Sequence, residues 1–208
     1  MSKFMVPKDY KEVLSVYETQ KAIADVKKTF EQKLSGALNL IRVSAPLFVD
    51  PATGLNDDLN GVERPVEFDI KETGGMAQIV HSLAKWKRMA LGKYGFKPGE
   101  GLYTDMNAVR RDEEMDNLHS IYVDQWDWEK VILRSDRTVA FLKETVKSIV
   151  GAICDTADVL NALYPALQLK ISRDVQFITT QELEDMYPAL EPKQRENEYL
   201  KTAKTAFI

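Results

Sequence analysis

One stretch of the sequence concentrates groups that could do chemistry: Ile121-Tyr122-Val123-Asp124-Gln125-Trp126-Asp127-Trp128-Glu129. Its β-branched and aromatic content reads as a strand. Strand side chains alternate between faces, so Val123, Gln125, Asp127 and Glu129 share one face, and Tyr122, Asp124, Trp126 and Trp128 the other. The aromatic face has enough apolar area to pack on helices. The opposite face then presents an amide and two carboxylates in a row. In a central strand that row must border a polar cavity, because buried unpaired charge is costly. In an edge strand it is a solvated face, and the pattern leaves both placements open.

Upstream, Arg110 and Arg111 stand beside Asp112, Glu113 and Glu114. An arginine anchored by a carboxylate offers a bidentate fork to phosphate or carboxylate; the same spacing also describes a solvated turn. Lys85, Lys87 and Arg88 follow Ser82, where cations and free backbone N–H groups could hold an anion. The alternative is an amphipathic surface helix with Trp86 turned inward. Asp57 and Asp58 are candidate acid/base groups or turn formers. His81 and His119 have no His or Cys partner at metal-ligand spacing. The single cysteine, Cys154, excludes an intramolecular disulfide and a cysteine zinc site. No Walker, dinucleotide-binding or nucleophile-elbow sequence occurs.

Periodicity supplies the elements that must position these groups. A helix is predicted over Tyr17–Leu38, with Ile23, Val26, Phe30 and Leu34 as its apolar stripe and Ser35-Gly36 weakening its end. Leu40–Val43 reads as a strand stopped near Pro46. Val66, Phe68 and Ile70 alternate as a half-buried strand, and Gly74-Gly75 turns it into Met76–Val80. Ser82 is the expected N-cap of a helix over Leu83–Leu91. Strands over Leu102–Val109 and Ile121–Val131 flank a polar loop. A long helix over Arg137–Leu163 ends at Pro165. A strand over Val175–Ile178, a helix capped by Thr180, a helix opened by Pro192 and a strand from Lys204 complete the chain. Central strands with helices at both ends predict one α+β domain with a largely antiparallel sheet.

The chain has 208 residues, 28 Lys plus Arg, 32 Asp plus Glu, and a net charge of −4. That balance argues against a partner held by duplex phosphates. The longest stretch without Asp, Glu, Lys or Arg is the twelve residues Thr73–Ala84, well short of the roughly 20 that a membrane span needs. The opening MSKFMVPKDYKEVL lacks a signal-peptide core. A cytoplasmic protein, with neither nucleic acid nor membrane as partner, is expected.

Taken in order, four segments resemble the aspartate–ammonia ligase family: Asn56–Gly61, Val80-His81-Ser82-Leu83-Ala84-Lys85-Trp86-Lys87-Arg88, Gly99-Glu100-Gly101-Leu102-Tyr103-Thr104 and Tyr122–Glu129. The resemblance runs from the first helix to Ile208. It implies a class II aminoacyl-tRNA synthetase-like catalytic core, an antiparallel sheet flanked by helices, acting as a homodimer. It also implies that L-aspartate and ATP form β-aspartyl-AMP and pyrophosphate, and that ammonia then yields L-asparagine and AMP. Carried over residue by residue, Arg110, Asp57 and Gln125 are the catalytic candidates. Lys87, Ser82 and Asp127 would hold the aspartate. Arg110, Asp112 and His119 would meet ATP, and Glu129 a Mg²⁺ ion. Family members continue past the equivalent of Ile208, so a third motif, a glycine-rich strand ending in an adenine-stacking arginine, is expected beyond this stretch. A natural stop at Ile208 would instead imply a dimerising or ligand-sensing relative that binds aspartate or nucleotide without turnover.

Overall fold

The computed structural model describes residues 5–57 and 59–208. Asp58 and the first four residues, which carry part of the reading above, lie outside the described residues. The chain is α+β. Helix α1 (Val16–Leu38) precedes strands β1 (Leu40–Arg42), β2 (Phe48–Val49), β3 (Glu67–Ile70) and β4 (Gly75–Ile79). Helix α2 (Ala84–Lys93) leads to the long strands β5 (Gly101–Val109) and β6 (Tyr122–Lys130). Helix α3 (Val139–Leu163), strand β7 (Gln176–Phe177), helices α4 (Thr180–Met186) and α5 (Pro192–Leu200), and strand β8 (Ala206–Phe207) follow. The chain divides into two compact units, each drawn from two segments: Met1–Lys11 with Asn39–Ile132, and Glu12–Leu38 with Leu133–Ile208.

The first unit holds every candidate residue. Its main sheet has the order β1-β5-β6, with β1 parallel and β6 antiparallel to β5. A second, antiparallel sheet has the order β2-β4-β3. Strand β2 was not legible in the sequence, because two residues carry no period. Gly74 makes the β3–β4 turn at φ 66°, a conformation that glycine adopts without a Cβ penalty. The core lies where α2 covers β5: Val80, Leu83, Ala90, Leu102 and Ala108 are fully buried. Each large aliphatic side chain there stabilises the unit by about 1.5–3 kcal/mol.

Two expectations about this unit need correction. The N-cap of α2 is Leu83, without a side-chain cap; Ser82 Oγ instead accepts from Ala84 N at 3.2 Å, as a short local turn. Among the described residues β6 is an edge strand, and its helix-covered face is not the aromatic one. Gln125, Asp127 and Glu129 pair in register with Met106, Thr104 and Leu102, whose side chains are buried under α2. Leu102, Met106 and Ala108 offer more apolar area than the β6 aromatics, so β5 decides which face is covered.

In the second unit α1 packs along α3. Leu34 and Leu38 are buried, but the stripe runs through Ala22, and Ile23 is 47% exposed. Gly36 does not end α1. It runs to Leu38, and Asn39 stops it at φ 57°, a left-handed position that asparagine tolerates. Tyr164 Oη donates to Asp25 Oδ2 at 2.6 Å, and that carboxylate pushes the phenol up to about 12. Thr138 caps α3 by accepting from Phe141 N. Thr179, rather than Thr180, caps α4 in a reciprocal box with Glu182. Strands β7 and β8 pair in parallel.

Gly101 marks the tightest approach in the first unit. A Cβ there would sit 2.5 Å from Leu40 Cδ2 and 2.6 Å from the Glu129 carbonyl oxygen. Backbone cannot yield as a side chain can, so Gly101→Ala is expected to cost about 2 kcal/mol. That loss lowers Tm by roughly 4–8 °C in a chain of this size, as calorimetry would show. An unchanged Tm would mean that β5 and β6 separate freely there.

Candidate functional site

Helix α2 carries the centre of the site. Its buried residues Trp86, Lys87, Ala90 and Leu91 follow helical spacing, so Lys87 falls on the core-facing stripe although it is charged. Lys87 is 3% exposed. Its ammonium donates to Asp127 Oδ1 and, at 2.9 Å, to the Trp128 carbonyl; Glu129 Oε2 lies at 3.6 Å. Arg88 Nε reaches Glu129 Oε1 at 3.5 Å. The chemistry explains the burial: a lone buried ammonium is prohibitive, whereas one held by a carboxylate and a carbonyl is not. Trp86 does turn inward, but the surface-helix alternative fails for Lys87.

Gln125 and Arg110 extend this group along the same sheet face. Gln125 Nε2 donates to the thioether of Met106, at 3.3 Å, a weak acceptor that a carbonyl or carboxylate would displace. Arg110 follows β5, its backbone N donating to Ile121 O at 2.7 Å. Its Nε is buried and has no hydrogen-bond partner among the described residues. The strand pattern put Gln125, Asp127 and Glu129 on one face, the family resemblance added Lys87 and Arg110, and the structure brings Lys87, Asp127 and Glu129 together.

Other candidates lie elsewhere in the unit. Asp57 lines a cavity of about 280 Å³ with Asn56, Glu63, Gln78, His81 and Lys85. Asp112 is engaged by Arg64, through its backbone N at 2.9 Å and its guanidinium at 3.0 and 2.5 Å. The Arg64 hydrogen bonds hold the Asp112 carboxyl far below the usual carboxylate range. His119 is exposed, its Nδ1 2.9 Å from Asp116 Oδ1. Neither Asp112 nor His119 is drawn to the Lys87 group by these bonds. Glu129, the metal candidate, is committed to two cations, and no cluster of three His, Cys, Asp or Glu suited to a metal occurs among the described residues. The side chains present do not fit a protein-held Mg²⁺.

Sequence reasoning missed three participants. Arg64 is 48 positions from Asp112, and no local spacing reveals such a pair. The Trp128 carbonyl is backbone and has no sequence signature. His81 was read as an isolated histidine, yet it is 1% exposed and both its ring nitrogens lack partners among the described residues.

A family model described as aspartate–ammonia ligase matches residues 17–208. The chain is 59% identical to an aspartate–ammonia ligase of Ruminiclostridium cellulolyticum, over 100% of this chain and 62% of that one. It is 57% identical to one of Clostridium perfringens, with the same coverage, and 52% identical to one of Lactobacillus johnsonii, over 98% and 61%. The chain thus spans about three-fifths of the length of these relatives. An asparaginyl-tRNA synthetase from Pyrococcus horikoshii complexed with asparaginyl-adenylate matches with TM-score 0.57 and 16% identity, over 84% of this chain and 39% of that one. One from Entamoeba histolytica, also with asparaginyl-adenylate, matches at 0.55 and 12%, over 93% and 46%. These likenesses show the fold, the α+β core of class II aminoacyl-tRNA synthetases.

Removing the buried cation should expose how much it holds. Lys87→Met leaves Asp127 and Glu129 facing each other without their shared partner, at an expected cost of about 2–4 kcal/mol in urea unfolding. Lys87→Arg should not restore the loss, since the planar fork does not fit an ammonium-sized site. An unchanged midpoint would mean that water screens the two carboxylates. The Arg64–Asp112 link makes a pH prediction. The folded pKa is depressed, so the link contributes fully above the unfolded value of about 3.9 and is lost only as pH falls through the lower folded value. Protection of the Arg64 amide from exchange should therefore persist at pH 4; its loss there would contradict the pairing.

Proposed function

The chain belongs to the aspartate–ammonia ligase family, and from that premise we propose that the protein joins ammonia to the β-carboxylate of L-aspartate at the expense of ATP, giving L-asparagine, AMP and pyrophosphate. The observation that carries this reading is the Lys87–Asp127 pair on the sheet face that also bears Gln125 and Arg110. An ammonium has three donors; two are spent on Asp127 and Trp128 O, and the third is available to a substrate carboxylate. Asp127, with Lys87 holding its charge, would receive the substrate's α-ammonium, and Ser82 lies five residues before Lys87 at the mouth of α2.

The first step is attack of the β-carboxylate oxygen on the α-phosphorus of ATP, with pyrophosphate leaving. Arg110 is suited to this step. Its unpartnered buried Nε and guanidinium fork can hold the α-phosphate and the attacking carboxylate together as charge develops. Gln125 would orient the carboxyl group without adding charge. In the second step ammonia attacks the acyl carbon, the C–N bond forms, the bond to phosphate breaks and AMP leaves; Asp57 would accept the proton that nitrogen sheds. Asp112 and His119 are proposed at the nucleotide. Mg²⁺ would arrive with ATP as a counterion of its phosphates, and no step is assigned to it. We further propose that both compact units belong to one catalytic domain, that two chains form a homodimer, and that the protein works in the cytoplasm. Among the described residues no helix is long and apolar enough to cross a membrane.

In the whole protein, Arg110→Ala should reduce aspartate-dependent exchange of labelled pyrophosphate into ATP by about 10²-fold or more, the scale of losing one charge-stabilising group. Arg110→Lys should recover only part of it. Exchange at the parent rate in Arg110→Ala would overturn the assignment, and absence of exchange in the parent would overturn the ligase reading.

A further inference from the structure

The loop that follows Arg110 is held by polar ties, since its large apolar side chains stay at the surface: Met115 is exposed, and Leu118 is 89% exposed. A segment without buried apolar contacts opens easily, so its hydrogen bonds decide where it sits. At the base, Arg110 N donates to Ile121 O at 2.7 Å, and Arg64 grips Asp112. The tip is a closed turn. Asp116 Oδ1 accepts from Leu118 N at 2.7 Å and His119 N at 2.8 Å, and Asp116 N donates to His119 O at 3.3 Å. Asn117 reaches from that turn to a distant segment, the arm that precedes α1. Its Oδ1 accepts from Met5 N at 2.8 Å, and its Nδ2 donates to Met5 O at 2.7 Å. The side-chain amide thus exchanges both bonds with one backbone residue, as a paired residue of an antiparallel strand does.

The arm meets the loop across 112 positions of sequence, and apolar burial does not carry it there: Met5 is 79% exposed, and Val6 and Tyr10 are exposed as well. Both partners lie in the first compact unit. The arm also precedes residue 17, where the family match begins, so family membership assigns it no task. What its grip fixes is His119. Asn117 and His119 belong to one turn, two residues apart. With Met5 holding the first, the second cannot swing away unless both bonds break. Resting on the ligase reading, which puts Asp112 and His119 at the nucleotide, we propose that Asn117 is a positioning residue through which the N-terminal arm sets this loop for ATP. Arg64 secures one side of the loop and Met5 its tip, so the loop is ordered before ATP arrives. A preordered loop spares the nucleotide the cost of ordering it. A loop in place for roughly a tenth of the time would bind about tenfold more weakly.

In the whole protein, Asn117→Ala should raise KM for ATP about tenfold, the scale of two ordinary hydrogen bonds, and leave kcat and KM for aspartate unchanged. Deletion of residues 2–7 should do the same. The deletion combined with Asn117→Ala should be no worse than either change alone, because both remove the same pair of bonds. Met5→Ala should be silent, since Met5 pairs through its backbone. An unaltered KM for ATP, a parallel rise in both KM values, or additive effects of the two changes overturns the proposal. A second measurement is independent of turnover. In ¹⁵N-edited NMR of the same protein, the Asn117 side-chain amide should exchange slowly, and the deletion should release it. Fast exchange in the parent overturns the clasp whether or not the protein is a ligase. A protected amide that the deletion releases, in a protein without aspartate-dependent pyrophosphate exchange, supports the clasp and removes the ligase reading, so the two fail separately.

Discussion

The buried ammonium of Lys87 is the constraint on which the first unit depends. A cation with 3% exposure must find partners wherever the chain lets it reach, and here they all lie on one edge strand. Asp127, the Trp128 carbonyl and Glu129 are consecutive positions of β6. The interaction therefore fixes the height of α2 over the sheet and the register of β6 beneath it. It also answers the hazard of an edge strand, whose unpaired backbone groups invite pairing with other chains: helix α2 engages one carbonyl directly and its neighbouring carboxylates by charge. Two carboxylates, Lys87 and Arg88 leave that cluster balanced, and a balanced cluster can be half-buried without an isolated charge.

Strand β5 transmits this arrangement to the rest of the unit. Its alternate residues Leu102, Thr104, Met106 and Ala108 are almost wholly buried and oppose Glu129, Asp127, Gln125 and Val123. The apolar row thus sets which face of β6 lies beneath the helix, and the polar row goes with it. Thr104 and the thioether of Met106 stand opposite Asp127 and Gln125, so the apolar floor gives way to weakly polar contacts where the amide and carboxylate sit. At the far end, Gly101 lets β1, β5 and β6 approach more closely than any side chain would permit. The site is accordingly placed by packing, and its polar groups inherit the positions that packing gives them.

Most of this was written locally. Helices α1 and α3, the β3–β4 hairpin and both long strands follow from period, caps and turn glycines, and their ends lie within a residue or two of those expected; Pro192 opens α5 as expected. What failed was whatever depended on distant partners. Ile23 has the right spacing for the stripe of α1, but the buried face is displaced onto Ala22 by the packing of α3. The strand pattern of β6 divided its residues into the correct faces and misassigned the covered one, because the decision belongs to β5. Among site residues, the grouping of Lys87 with Asp127 came from a family resemblance rather than from spacing 40 positions apart. The Arg64–Asp112 pair and the isolation of the His81 ring had no local signal at all. Shared faces can be read from one strand; partners cannot.

The unmet groups are informative because so much around them is met. Asn56 and Asp112 each make several bonds, and even the Lys87 ammonium, the most costly group to bury, is partnered. Native proteins leave few buried polar atoms without a hydrogen bond, and a fold that satisfies a buried lysine is capable of satisfying a histidine. Yet among the described residues Arg110 Nε and both nitrogens of His81 are left open. One flanks the sheet face that carries Gln125 and Asp127; the other walls a cavity with Asp57. Stability alone gives no reason to keep these two groups dry and unpaired, since an apolar residue of similar shape would remove the penalty. Binding gives one: a guanidinium nitrogen held open recovers its desolvation cost when it meets an anion, and an imidazole recovers its own when a hydrogen-bonding ligand reaches it. The open atoms thus ask for hydrogen-bonding ligands at two places in the same unit, one at the sheet face and one at the β4–α2 connection.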